Sequence, residues 1–341
     1  MKVSRIKMFL RGKIFQLLCL IIIVLAIAYI NLPGMFNIPN FRQIMNNITI
    51  TAVFVCGIAP LLMCGGIDFS GSAIGACAGM IIGSCFQWFP SAPWWLMFIP
   101  ALLMGAIIGA LNAFFIIKLN LMAFIATMAM GTIWSGAAVW FVKNVPIPIA
   151  VRPFNNLSAT FVLNIVPLFF LIAVVLLILY SFLLAKTSFG RSVLMAGGNP
   201  TAARLAGLNP NKIRAILFIN SGVTAGFAGV INVSQTRQAA PNAFVTSMPH
   251  MTAFIASILG GVSFFGGAGS LTGAFMGVAL INLLSYTLTA IGVDLWVNGL
   301  INGMLLIIAL TIDDVTRRIR LNRLGIKAGA NSMVMPGMPT R

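Results

Sequence analysis

One acidic residue stands where chemistry could be done. Asp68 lies in Gly65-Gly66-Ile67-Asp68-Phe69-Ser70-Gly71-Ser72, between two long apolar runs. Paired glycines beside an acid mark interrupted helical backbone, which at membrane depth is tolerated only where it is packed in protein or lines a cavity. An ionisable group there is costly to keep, which makes it a functional candidate. Two readings of the same residue stay open: Asp68 or Ser70 caps the helix that follows, or Asp68 belongs to a polar path.

The other residue types exclude much. The chain has four acids (Asp68, Asp294, Asp313 and Asp314), no glutamate and one histidine, His250. A His/Glu metal site cannot be assembled from that set. The five cysteines, Cys19, Cys56, Cys64, Cys77 and Cys85, fall in or beside apolar runs with no CxxC spacing, so neither a disulfide framework nor a zinc site is expected. The only Gly-Lys pair, Gly12-Lys13, has nothing glycine-rich before it, so no P-loop binds ATP in this chain. Proton- or sodium-coupled carriers work through buried acids, and only Asp68 and Asp294 precede the C-terminal tail. If transport is active, its energy is expected from another subunit.

A second polar stretch offers a place for such a subunit. Gly198-Asn199-Pro200-Thr201-Ala202-Ala203-Arg204-Leu205-Ala206-Gly207-Leu208-Asn209-Pro210 reads as a bounded helix of about two turns. Asn199 supplies the N-cap, Pro200 the first helical residue, Gly207 the left-handed stop, and Pro210 the bar to resumption. Two turns are marginal alone, so this island must rest on its own protein or on a partner.

The elements that position these stretches follow from composition. Of 341 residues, 60% are hydrophobic and 7% charged, against roughly 25% charged in soluble domains. The net charge of +17 would suit nucleic acid only if it lay on a soluble face. Instead, 17 of the 21 Lys and Arg fall in residues 1–13, Lys118, 186–214 and 317–341, leaving Arg42, Lys143, Arg152 and Arg237 for the alternate loops. Ten apolar runs separate them, at about 14–30, 44–64, 71–88, 94–117, 121–141, 161–184, 213–233, 251–266, 268–290 and 295–312. An all-α polytopic membrane bundle is expected, with both termini and the island cytoplasmic. The expected divisions are a basic N-terminus (1–13), a transmembrane domain (14–312) whose coupling loop is 186–212, and a basic tail (313–341) on the anionic inner leaflet, its end disordered.

Glycine or alanine at four-residue spacing recurs at Gly71/Gly75/Gly79/Gly83, Ala101/Gly105/Gly109/Ala113, Gly222/Gly226, Gly269/Gly273/Gly277 and Gly299/Gly303. Such stripes let helix backbones approach closely. The run 251–266, short and bracketed by Gly260-Gly261 and Gly266-Gly267-Ala268-Gly269, is a second broken-helix candidate. Pro146, Pro148 and Pro153 mark a non-helical outer loop, and His250 reads as a loop-end residue at the outer surface.

Three motifs resemble those of the membrane permeases of ATP-driven (ABC-type) monosaccharide importers of the ribose/galactose class. The stretch Ala196 to Gly207 is similar to that family's cytoplasmic loop, Ile258-Leu259-Gly260-Gly261-Val262-Ser263-Phe264-Phe265-Gly266-Gly267-Ala268-Gly269 to its glycine-rich run, and Gly65 to Ser70 to its Gly-Asp-Ser element. The match spans roughly 45–312. It departs in one residue fewer between Ser70 and Gly71, and in His250 and Thr252 where acids are usual.

The resemblance implies a transport subunit, not an enzyme, in a bacterial cytoplasmic membrane. It implies half of a dimeric pore built with an identical or paralogous chain, a cytoplasmic ATPase holding ATP and Mg, and a periplasmic or lipid-anchored sugar-binding protein; no cofactor sits in this chain and no nucleic acid is bound. ATPase coupling is expected at Gly198, Asn199, Pro200, Ala202, Ala203, Arg204 and Gly207. The translocation path is expected at Gly65, Gly66, Asp68, Ser70, Asn112, Thr127, Ser257, Gly260, Gly261 and Ser263, whose hydroxyls, amides and backbone would offer weak hydrogen bonds to a passing polyol. The alternative is a facilitator or secondary carrier needing no motor.

Overall fold

A computed structural model describes residues 13–32, 34 and 36–323. The basic segment 1–12 and the end of the tail, 324–341, lie outside the described residues. Helices α1 (Lys13–Asn31), α2 (Ile38–Met63), α3 (Gly71–Trp88), α4 (Phe98–Ile117) and α5 (Ala123–Phe141) form the first half. A connecting region follows, of β1 (Ile147–Pro148), α6 (Arg152–Ala159), β2 (Phe161–Val162) and β3 (Val166–Pro167). The second half holds α7 (Leu168–Lys186), α8 (Ser188–Gly198), α9 (Pro200–Leu205), α10 (Pro210–Thr236), β4 (Gln238–Ala239), α11 (Pro241–Ser247), α12 (Pro249–Leu259), α13 (Leu271–Ala290) and α14 (Leu295–Arg323).

Eight of these are long and apolar enough to cross a membrane: α1, α2, α4 with the 3-10 turn before it, α5, α7, α10, α13 and α14. The glycine-rich α3 is almost entirely buried, and its 18 residues reach about 27 Å, close to a bilayer core. The eighth run, 251–266, departs from expectation. Its helix, α12, ends at Leu259, and a second short helix, α11, precedes it across Met248, whose φ of 42° is left-handed. Pro241 and Pro249 each sit in a first turn, where their missing N–H costs nothing. The pair runs along α3: a Cβ added at Gly83 would meet Ala239, one at Gly75 would meet Phe244, and one at Gly71 would meet His250.

The glycine stripes act as expected in the core. Gly105 and Gly109 of α4 back onto Gly222, Phe218 and Ile219 of α10, and Gly277 and Gly273 of α13 onto Ala256 and Gly260. Gly299 and Gly303 on α14 meet nothing in the described chain. Other expectations give way. Residues 161–167 are the β2–β3 hairpin, with α7 starting only at Leu168. Pro153 opens α6 where a loop was expected, and Pro210 opens α10, capped by Asn209, where a stop was expected. The tail begins as a continuation of α14, helical through 313–323.

Among the described residues, the island and the alternate-loop cations Arg42 and Arg237 lie at opposite ends of α2. Arg42 bonds Asn164, and Ile149 donates its N–H to the carbonyl of Arg237, gathering Arg42, Arg237 and the connecting region at the start of α2. The island lies at the other end of α2, beside Met63 and Cys64. Across about 25 residues of α2 that separation is about 38 Å.

Candidate coupling and translocation site

The island folds as its residues dictate. Asn199 Oδ1 accepts the N–H of Ala202 at 3.0 Å, Pro200 begins α9, and Gly207 takes φ +79°. The N–H of Leu208 then reaches back to the carbonyl of Ala203, and that of Gly207 to Arg204, closing the last carbonyls. Ala203 is 0% exposed and seats α9 on its own protein, so it is not available to a partner. Gly198, Asn199, Ala202, Arg204 and Gly207 are exposed, Pro200 is half-buried, and Leu205 is 87% exposed.

Both interrupted segments meet this island. Gly197, the penultimate residue of α8, is pressed so closely on the C-terminus of α2 that a Cβ there would strike the carbonyl oxygen of Met63 and come within 2.8 Å of the nitrogen of Gly267. Gly267 donates its N–H to Met63 O at 2.8 Å, and a Cβ on it would lie 2.5 Å from the Cα of Gly198. A Cβ on Gly266 would lie 3.0 Å from the nitrogen of Gly65. Gly65, Gly261, Gly266 and Gly267 all have φ between 74° and 93°, a region costly for other residues. The glycine pairs at 65–66 and 266–267 and the end of α8 thus form one three-way junction of backbone.

Above the junction sits a polar knot around Asp68, which is 3% exposed. Its Oδ1 accepts the N–H of Ser70 at 2.9 Å and the hydroxyl of Ser70 at 2.6 Å, and its Oδ2 accepts the hydroxyl of Ser221 at 2.8 Å. Asn112 donates to Ser70 Oγ at 2.8 Å, and Phe69 N–H to Thr127 Oγ1 at 3.1 Å. The loop Asp68–Ser70 therefore ties α4, α5 and α10 together at the start of α3, through Ser70, Phe69 and Asp68 in turn; the N-cap of α3, Ser70, makes no side-chain capping bond of its own. α3 begins at Gly71, immediately after Ser70.

The side chains expected along a path point inward. Asp68, Ser70, Asn112 and Thr127 join the knot; Ser257 donates to Ala253 O within α12; Gly66 and Gly260 are buried and Gly65, Gly261 and Ser263 half-buried. In the knot only Asn112 Oδ1 is buried with no hydrogen-bond partner among the described residues.

Three contributors escaped the sequence reading. His250 is not at a surface: it is 6% exposed at the start of α12, its Nδ1 2.6 Å from Ser72 Oγ. Asp313, expected on a solvated tail, is 7% exposed; its Oδ2 accepts the N–H of Phe264 at 3.0 Å and the hydroxyl of Ser263 at 3.2 Å, fastening the glycine-rich loop to α14. Its scarcity among four acids was the available signal. Ser221, in the middle of a 27-residue helix, gave none. Among the described residues no cluster of His, Cys, Asp or Glu could hold a metal.

Comparison with known proteins adds the following. The family described as branched-chain amino acid transport system / permease component matches residues 40–310. The chain is 27% identical to the ribose import permease protein of Haemophilus influenzae over 301 residues, covering 87% of this chain and 91% of that one. It is 29% identical to the galactose/methyl galactoside import permease protein of the same organism, covering 86% and 92%. With the autoinducer 2 import system permease protein of Yersinia enterocolitica the identity is 30%, covering 82% and 76%. No solved structure matches.

Proposed function

The chain belongs to the family of branched-chain amino acid transport system / permease components, and from that premise we propose that it carries a monosaccharide inward as the permease subunit of an ATP-driven importer. It is a multi-pass membrane protein and a transport subunit, not an enzyme. The substrate follows the relatives named for ribose and galactose import rather than the amino acids of the family description. The residues favour the same choice: an amino acid brings an ammonium, and the only acid in the described interior besides Asp313 is Asp68, whose oxygens are already engaged.

The observation that carries the reading is the three-way junction. The island displays Leu205 and Arg204 on one side, and on the other its neighbour α8 touches both broken segments through backbone alone. A separate ATPase, with its ATP and Mg, docks on α9; its movement reaches Gly266-Gly267 and Gly65-Gly66 without passing through flexible side chains. Close-packed backbone transmits displacement because it has two packings rather than a continuum. A second permease chain, identical or paralogous, completes the pore, and a binding protein delivers sugar at the far end. The island end and both termini face the cytoplasm of a bacterial inner membrane, since that end holds most of the cations.

The test is reconstitution in vesicles with the ATPase and binding protein, following labelled ribose and galactose. ATP-dependent uptake is expected. Uptake by this chain without an ATPase would overturn the reading in favour of a facilitator. Orientation is checked with Leu205→Cys, which should react with an impermeant reagent only from the cytoplasmic side.

A further inference from the structure

Between the start of α2, the end of α6 and the end of α10 lies a cleft of about 450 Å³, within the range of small-ligand sites. Five side-chain amides line it: Gln43, Asn46, Asn47, Asn232 and Gln235. We infer that this cleft is a weak binding site for a neutral monosaccharide at the end of the bundle opposite the island, the position from which sugar moves on into the pore.

Its polar atoms are under-used. Asn46 Oδ1 is buried without a hydrogen-bond partner, and the side chain of Asn232 makes no hydrogen bond among the described residues. Gln235 donates to Asn46 O and Gln43 to Asn47 Oδ1, each at 3.3 Å, which leaves the carbonyl oxygens of both glutamines free to accept. A buried amide oxygen such as that of Asn46 is costly unless something bonds it, and amides offer donors and acceptors side by side, as a sugar hydroxyl does. Charge narrows the choice. None of the four acids lines the cleft, so an ammonium finds no opposite charge there, and Arg237 is the one cation, exposed at its edge. Asn46 stands about 26 Å along α2 from Met63, so the site is a membrane's thickness from the coupling junction.

The inference rests on the reading of this chain as a sugar importer, and the experiment separates the two. In the purified complex with its ATPase, saturation-transfer NMR with D-ribose, D-galactose and L-leucine reads weak binding directly, and vesicle uptake reads function. Transfer to one of the sugars and not to leucine is expected. It should at least halve in the Asn232→Leu/Gln235→Leu variant, whose half-saturating sugar concentration should rise roughly tenfold. Should that variant fail to assemble, Asn47→Ala at the exposed edge should show the same decrease. Equal transfer to wild type and variant, or transfer to leucine alone, overturns the cleft. So does ATP-driven sugar uptake with no transfer to either sugar, an outcome that leaves the importer reading standing. Neither uptake nor transfer in wild type overturns both.

Discussion

Gly267 donates its backbone N–H to the carbonyl oxygen of Met63 at 2.8 Å, with Gly197 and Gly198 packed against the same bond. Nothing in that contact is a side chain, so side chains are what it cannot admit. Gly197→Ala puts a methyl group into the carbonyl of Met63, and Gly267→Ala adds a left-handed φ of 75° to a 2.5 Å approach to Gly198. Overpacking of this kind costs about 1–3 kcal/mol. Both variants are expected to insert, melt several degrees lower in detergent and lose most ATP-driven uptake, because the displaced element is the one that transmits movement. Wild-type uptake in both would show that the junction is only structural.

The knot at Asp68 makes a prediction about coupling energies. Asp68→Ala leaves the N–H and hydroxyl of Ser70 and the hydroxyl of Ser221 without their acceptor, a loss of about 3 kcal/mol or more. Ser221→Ala removes one donor to the buried carboxylate and should cost about 1.5–3 kcal/mol. Measured by thermal unfolding, the double variant should be less destabilised than the sum, by about 1 kcal/mol. Strict additivity would mean that the two residues do not share the bond.

How much of this was legible depends on whether a signal was local. The island was readable almost to the residue, because Asn199, Pro200 and Gly207 act within one turn of themselves. Both glycine breaks were readable because paired glycines interrupt an apolar run. The broken crossing was misplaced because Pro241 to His250 is too polar to register as membrane-embedded; its burial comes from Phe244 filling the space left by Gly75, a contact across the fold. The same holds for the knot and the junction. Sequence named Asp68, Asn112 and Thr127 but could not say that all three meet at the 68–70 loop, Asn112 on the Ser70 hydroxyl and Thr127 on the N–H of Phe69.

Asp313 and Asp314 are adjacent acids with opposite expectations. Asp314 makes an exposed pair with Arg318 at 2.7 Å, which at that exposure contributes about 0.5 kcal/mol or less. Asp313 is buried and holds the N–H of Phe264 and the hydroxyl of Ser263. Asp313→Ala should speed hydrogen exchange of the 261–269 amides at least tenfold and depress uptake, since a charge-assisted bond contributes about 1.5–3 kcal/mol. Asp313→Asn, which keeps one acceptor oxygen, should fall between. Asp314→Ala should change neither exchange nor uptake. Equal effects at the two positions would remove the loop-fastening role of Asp313.

The last prediction concerns α9, where neighbouring residues face opposite ways. Ala203 is fully buried beneath the helix, whereas Leu205 is 87% exposed and Arg204 is exposed beside it. A large apolar side chain held out on a capped, rigid turn gains nothing for the isolated chain, so Leu205→Ala should alter its stability by no more than about 0.5 kcal/mol. If an ATPase covers that side chain, truncation forfeits about 1.5–3 kcal/mol of burial, which is roughly a 10- to 150-fold weaker complex. Arg204→Glu should act in the same direction and further, since a reversed charge in an interface can cost several kcal/mol. Ala203→Leu is the contrast: it should destabilise the permease itself, because no space lies beneath it. The measurements are melting of the purified chain, co-purification of the ATPase and ATP-driven uptake. The reading requires the two exposed variants to melt normally yet lose the ATPase and the uptake together. Retention of both by Leu205→Ala and Arg204→Glu would mean that the motor does not dock on α9.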